Sequence, residues 1–401
     1  MRRFLEIAWV AVKFAAIIGL VALGSCTTAR TLLKQAPTEL PRGWQAPVGH
    51  TLPEDQARRL LETVFYGPVD MSPRYSASAP ELLDTAALDG RATLMQWSID
   101  VSFGGASRSV DLIALFPNDK PRAPLIISQN FCPNHNVVSL QGVRAPEDMM
   151  FDCGGPGLAN LAMKAVFGRH IVTPPLEAIL ERGYAFAAIY PSQFVPDSAR
   201  DGAAALEDMF PEESERPGAL SAWASLFPVV AKVIEAERGE RAVIAYGHSR
   251  FGKTALMAGA WSDDVDAVIA HQSGTLGASA LDDGIGEPLD GLLSAYPHWP
   301  GRGLAAYADN PHALPVRPAD LLALTGEKPV LLGNARRDVW SDPWGAFTEA
   351  KRAWPSAFKA TRPADYRPSD LKAYWLRPGT HGVVKEDWPA FLDFLDAQDL
   401  E

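Results

Sequence analysis

Apolar positions in this chain fall into three kinds of run. Residues 92–103 (ATLMQWSIDVSF) and 108–116 (RSVDLIALF) largely alternate apolar and polar side chains on either side of Gly104-Gly105. Period-two alternation around a glycine turn predicts an antiparallel hairpin. PLIIS (124–128), YAFAAIY (184–190), AVIAYG (242–247), AVIAHQS (267–273), PVLLGNA (329–335) and AYWLRP (373–378) are short and continuously apolar. Such runs suit strands covered on both faces, as in a parallel sheet. Between them lie stretches with helical spacing: PEDQARRLLETVF (53–65), SAWASLFPVVAKVIEAER (221–238), FGKTALMAGAW (251–261) and DWPAFLDFLD (387–396). Strand–helix alternation predicts a doubly wound α/β fold, a mostly parallel sheet with antiparallel N-terminal strands in a three-layer αβα sandwich. Residues 53–401 read as one domain. Within it, about 274–325 is rich in turns and reads as an insertion near the carboxyl ends of the strands, where open sheets place their sites.

The first 26 residues have a different pattern. Arg2 and Arg3 precede an apolar run, Phe14 to Leu23, that ends in Leu23-Gly24-Ser25-Cys26. This looks like an export signal (1–25) with a bacterial lipobox, in which Cys26 is lipidated and becomes the first mature residue. The alternative is an uncleaved anchor, interrupted by Glu6 and Lys13. Either one places the body outside the cytoplasm, on the cell envelope and tethered to a membrane, the outer membrane being favoured by Thr27. Residues 26–52 read as the linker. In an oxidising compartment Cys132 and Cys153 can form a disulfide, and two free buried thiols are the alternative.

Charge narrows the partners. The chain has 401 residues, 37 Lys plus Arg and 48 Asp plus Glu, for a net charge of −11. An acidic body repels phosphate backbones, which argues against nucleic acid as a partner. A monomer is expected.

The chemistry concentrates in AVIAYGHSRFGKTALMAGA. Gly247 to Thr254 satisfies G-x-x-x-x-G-K-[ST], the phosphate-cradling loop. Against a nucleotide stand the exported compartment, the motif's place past mid-chain, and the lack of a downstream strand ending in a metal-binding Asp. The competing reading is a nucleophile elbow, a strand turning sharply at Ser249 into a helix whose N-terminus faces a developing oxyanion. Position 251 is Phe where the general G-x-S-x-G pattern has its second glycine, which here comes at 252. A serine that merely caps a helix is the bland alternative. The rest of the chain tests the elbow, because the α/β-hydrolase fold orders its triad Ser, acid, His. His381, in Gly379-Thr380-His381-Gly382, follows the last apolar strand, and Asp338 and Asp342 follow the strand before it. That order points to a serine hydrolase.

GHSRFGKTALMAGA resembles the elbow signature of carbohydrate esterase family 15, the glucuronoyl esterases, G-[CH]-S-R-x-G-K. The resemblance covers roughly residues 90–398 and extends to GEPL, YPHWP (296–300), DVWSDPWGAF (338–347) and RPGTHGVVKEDW. It implies an α/β-hydrolase that cleaves uronic acid esters on plant cell-wall xylan without metal or cofactor. It implies Ser249 as nucleophile, His381 as base and Arg250 in the oxyanion hole, through its backbone N–H and its guanidinium. It implies Lys253 and Glu287 on sugar hydroxyls, Trp340 stacked along the uronate, and His298 and Trp299 shaping the pocket. Many members carry the triad acid where this chain has Gln272; others place it after the penultimate strand, which matches Asp338, with Asp342 second. YPHWP also lacks the Phe-Cys that often follows His-Trp. Two other functions share these features: an exported carboxylesterase of the acetyl-xylan type, and a catalytically weak, lipid-anchored carbohydrate-binding protein.

Overall fold

The computed structural model describes residues 35–47, 51–147, 149, 153, 158–212, 216–281 and 286–400. The expected signal and Cys26 lie outside them, as do residues 27–34 and 48–50 of the expected linker; residues 35–47 of that linker pack on the body, with Trp44 5.6 Å from Trp344 and Ala36 N–H on the Arg336 carbonyl. One sheet of ten strands organises the described chain: β1 (Arg74–Ala77), β2 (Glu81–Ala86), β3 (Ala92–Ser102), β4 (Arg108–Pro117), β5 (Leu125–Gln129), β6 (Ala185–Ile189), β7 (Val243–His248), β8 (Ala267–His271), β9 (Val330–Ala335) and β10 (Lys372–Arg377). Spatial order is β1-β3-β4-β6-β5-β7-β8-β9-β10, with β2 also on β3. The pairs from β6 through β10 are parallel, and those involving β1 to β4 are antiparallel.

Every residue of β5 to β9 is buried, which is why those strands read as unbroken apolar runs. Two apolar clusters cover the sheet. One includes Trp97, Phe116, Trp223, Phe227 and Phe251, and the other Phe186, Tyr246, Trp388 and Phe391. This is the expected three-layer α/β-hydrolase sandwich. Two elements differ from expectation. The helix at 53–65 runs as an α-helix only over Glu54–Leu60 and widens to a π-helical turn over Leu61–Tyr66. The helix at 221–238 is two, Ala219–Ala224 and Leu226–Arg238, with Ser225 between them. Ala219–Arg238 is long and apolar enough to cross a membrane, but 83% of its apolar window is buried in the fold.

Register sets up the site. His248 at the end of β7 pairs with His271 of β8, which pairs with Gly333 of β9, while Ala335 of β9 pairs with Arg377 of β10. The segments that leave these strands therefore emerge side by side at one sheet edge. They carry Ser249, Gln272, Asp338 and His381.

Candidate active site

Ser249 joins β7 to the helix Arg250–Trp261 with φ 58° and ψ −122°. A positive φ is strained for a non-glycine residue and is held only by tight surroundings. Its N–H donates to the His271 carbonyl at 2.8 Å, and its own carbonyl accepts from Gly252 N–H at 2.9 Å. The turn is so tight that a Cβ on Gly247 would lie 1.9 Å from the Phe251 carbonyl oxygen. A Cβ on Gly252 would press to 3.1 Å from Ser273 Cβ. The second glycine thus stands at 252, where a side chain would crowd the end of β8. Phe251 instead points into the core, packed on Phe131 at 5.0 Å and Trp223 at 5.6 Å. The offset from the general motif has a packing cause. The phosphate-loop reading is not supported by this geometry. Lys253 is only 4% exposed and donates to the Ser273 carbonyl, and the Thr254 hydroxyl bonds Gln129 Oε1 at 2.7 Å inside the fold.

His381 stands on the loop after β10, and Asp338 follows β9. His381 Nδ1 lies 2.7 Å from Asp338 Oδ2. Burial pushes the Asp338 carboxyl up, but His381 and the bonds from Ser341 outweigh it, and the group lies below its ordinary value. An ionised Asp338 accepts Nδ1–H and leaves Nε2 unprotonated, the form a general base requires. Asp342 is placed differently. It sits in the left-handed region at φ 41° and caps the helix Pro343–Ala353 by accepting from Gly345 N–H at 2.9 Å. Of the two acids, Asp338 is the one against His381.

A cavity of about 550 Å³ opens over this edge. Ser249, Arg250, Lys253, Glu287, Trp299, Trp340 and His381 all line it, joined by Phe167 and Tyr296. Trp340, 54% exposed, presents an open aromatic surface at the wall and is not a core residue. The turn-rich segment around 274–325 supplies Glu287, Tyr296 and Trp299, so it does wall the site. His298 departs from expectation. It is buried behind the wall, with Nε2 3.1 Å from Asp197 Oδ1, and does not line the cavity. Its neighbour Trp299 takes the lining position and keeps the imidazole beneath it.

Asp197 was not singled out by the sequence. Its carboxylate accepts from Trp299 Nε1 at 2.8 Å and pairs with the Arg250 guanidinium. That guanidinium also lies over the rings of Trp299 (4.8 Å), Phe131 (5.0 Å) and Tyr296 (5.5 Å). Arg250 is therefore fixed before any substrate arrives. Nothing in the local sequence PDSAR marks Asp197, whereas the stacked pair Tyr296–Trp299, 3.8 Å apart, was at least visible as aromatic spacing in YPHWP. Burial pushes Arg250 down to about 10 and Lys253 down to about 8, with Glu287 pulling each back up. Cys132 and Cys153 are bonded, Cα to Cα 5.7 Å, next to the Phe131 that packs on Arg250.

Fold and site together define a serine carboxylic ester hydrolase of the α/β-hydrolase class. Comparison with known proteins agrees with the motif resemblance. The chain is 28% identical over 372 residues to Carbohydrate esterase MZ0003 from an unknown prokaryotic organism, covering 85% of this chain and 83% of that one. It superposes on a promiscuous carbohydrate esterase family 15 esterase from a marine bacterial metagenome with TM-score 0.75, at 24% identity, over 88% of this chain and 97% of that one. It superposes on a glucuronoyl esterase from Solibacter usitatus with TM-score 0.73, at 25% identity, over 89% of this chain and 98% of that one. No family model matches the chain. In sequence and fold alike, the chain is similar to carbohydrate esterases of family 15.

Proposed function

We propose that this protein hydrolyses glucuronate esters on plant cell-wall xylan. The observation that carries the reading is the cavity itself: a strained serine and an Asp-fixed imidazole share it with two cations, one buried and one half-buried, a carboxylate and an open tryptophan face. Ser249 Oγ attacks the ester carbonyl carbon while His381 Nε2 takes its proton. The oxyanion forms beside the N-terminus of the helix Arg250–Trp261, facing the Arg250 N–H and guanidinium. His381 then gives the proton to the departing alcohol, leaving an acyl group on Ser249. Water, deprotonated by the same imidazole, releases the acid and restores the serine. Lys253 and Glu287 engage sugar hydroxyls as donor and acceptor, and Trp340 covers the sugar's apolar face. A pocket with these groups recognises a polar ring and not merely a small acyl chain. Purified protein should therefore turn over benzyl glucuronate with a higher kcat/KM than 4-nitrophenyl acetate. The reverse ranking would favour a general carboxylesterase, and inactivity on both with sugar binding retained would indicate a binding protein. We also infer that the protein is a monomer, and that lipid on Cys26 holds it at the cell envelope; the N-terminal lipobox pattern supports the lipid anchor.

A further inference from the structure

A catalytic base on a loop is aimed only as well as the backbone that carries it. Both peptide groups flanking His381 are held by a single side chain. Gln272 Oε1 accepts from the Gly382 N–H at 2.8 Å, and Gln272 Nε2 donates to the Thr380 carbonyl at 3.3 Å. The peptides before and after His381 are thus pinned from the end of β8. The amide has one orientation, because a backbone N–H can only donate and the oxygen must face it. That settles a third bond. His248 Nε2 lies 2.9 Å from the same Oε1 and must carry the proton it shares. His248 is neutral and buried, its ring 4.6 Å from that of His381.

Gln272 is itself anchored. Its N–H donates to the Gly333 carbonyl at 2.7 Å, and its carbonyl accepts from Ser341 Oγ at 3.0 Å. Ser341 in turn touches both members of the acid–base pair, with its N–H on Asp338 Oδ1 and its hydroxyl 3.3 Å from His381 Nδ1. Gln272 also has φ 51°, a strained value for a non-glycine residue, which aims its side chain at the loop. We propose that Gln272, braced by His248, is a positioning residue that holds the His381 loop so that the imidazole faces Ser249. The proposal rests on the assignment of Ser249 and His381 as nucleophile and base, but not on the identity of the ester.

The test measures how fast a fluorophosphonate labels Ser249, a reaction that needs the base but not the sugar pocket, alongside kcat and KM on an ester. Gln272→Ala removes all three side-chain bonds. It should slow labelling and lower kcat by roughly 10- to 100-fold, the scale of a small misplacement of a catalytic group, with KM within twofold. Gln272→Glu keeps both acceptor bonds but turns an oxygen toward the Thr380 carbonyl in place of the donor, so it should recover part of that loss and remain about three- to tenfold slow. The low-field proton resonance of the His381–Asp338 pair should be sharp in the parent and broadened in Gln272→Ala. A merely structural Gln272 would lower the melting temperature and leave the labelling rate of folded protein alone. Labelling of Gln272→Ala within twofold of the parent overturns the proposal. Should that variant fail to fold, Gln272→Glu decides, and a rate within twofold of the parent overturns it. A parent that does not label at all contradicts the Ser249–His381 assignment itself, and the clamp with it.

Discussion

Asp338 and Asp342 lie four residues apart after the same strand, and spacing alone could not choose between them. Geometry separates them, since one carboxylate is on the imidazole and the other on a helix N-terminus. Asp338→Asn should lower kcat by roughly 10³–10⁴, because the imidazole loses the acceptor that sets its tautomer. Asp342→Asn should leave kcat within about twofold, since Asn caps helices as well as Asp and tolerates a left-handed φ. Steady-state kinetics of the two purified variants check this, and the opposite ranking would move the acid to Asp342. Ser249 and His381 were legible because each sits in a glycine-marked turn just past an apolar strand. Asp197 and the bracing role of Gln272 were not. Both act through contacts some 50 to 110 positions away in sequence, and a single chain does not display such pairings.

At the scale of elements, the first turn of the helix Arg250–Trp261 carries both cations of the site. Lys253, one turn past Arg250, is buried, and burial brings its ammonium down to about 8. Below about pH 8 the group is charged and the proposed bond to a sugar hydroxyl is charge-assisted; above it the amine is neutral and donates more weakly. KM for a glucuronate ester should therefore rise about fivefold between pH 7 and pH 9.5, a difference near 1 kcal/mol between charged and neutral hydrogen bonds. Lys253→Ala should start with the higher KM and stay flat across that window. It should leave 4-nitrophenyl acetate almost untouched. A KM that is flat in the parent, or equal losses on both esters, would remove Lys253 from sugar recognition. The strands of this element framework were easy to read where both faces are buried. β1 and β2 were not legible, because they are short, almost wholly exposed and carry no sustained or alternating apolar run. The break at Ser225 was missed for the opposite reason. Both half-helices are buried in the core, so the apolar run continues across a backbone interruption.

Taken as a whole, the molecule is a sheet with apolar layers on both faces and a reaction edge braced from outside. The disulfide Cys132–Cys153 closes a segment of 21 residues, which by loop entropy stabilises the fold by about 3 kcal/mol. It also anchors the loop that brings Phe131 to Arg250. The general layout was legible because α/β alternation leaves few topologies. The wall formed by Glu287 and Trp299 showed in the residue pattern only as an irregular stretch, and it was the family resemblance that named the two residues. The proposed attachment to the envelope concerns the whole chain as well. Replacing Cys26 by Ser should move the full-length protein from the membrane fraction to the soluble one, since stable attachment then loses its lipid. Retention in the membrane fraction would favour an uncleaved N-terminal anchor. The central claim, that this edge is a serine esterase site, is tested most directly by turnover of benzyl glucuronate in the full-length Ser249→Ala variant beside its parent. The variant should fold like the parent and lose at least about 10³ in kcat, as removal of a triad nucleophile does. A folded Ser249→Ala protein that retains even a tenth of the parent's activity would contradict it.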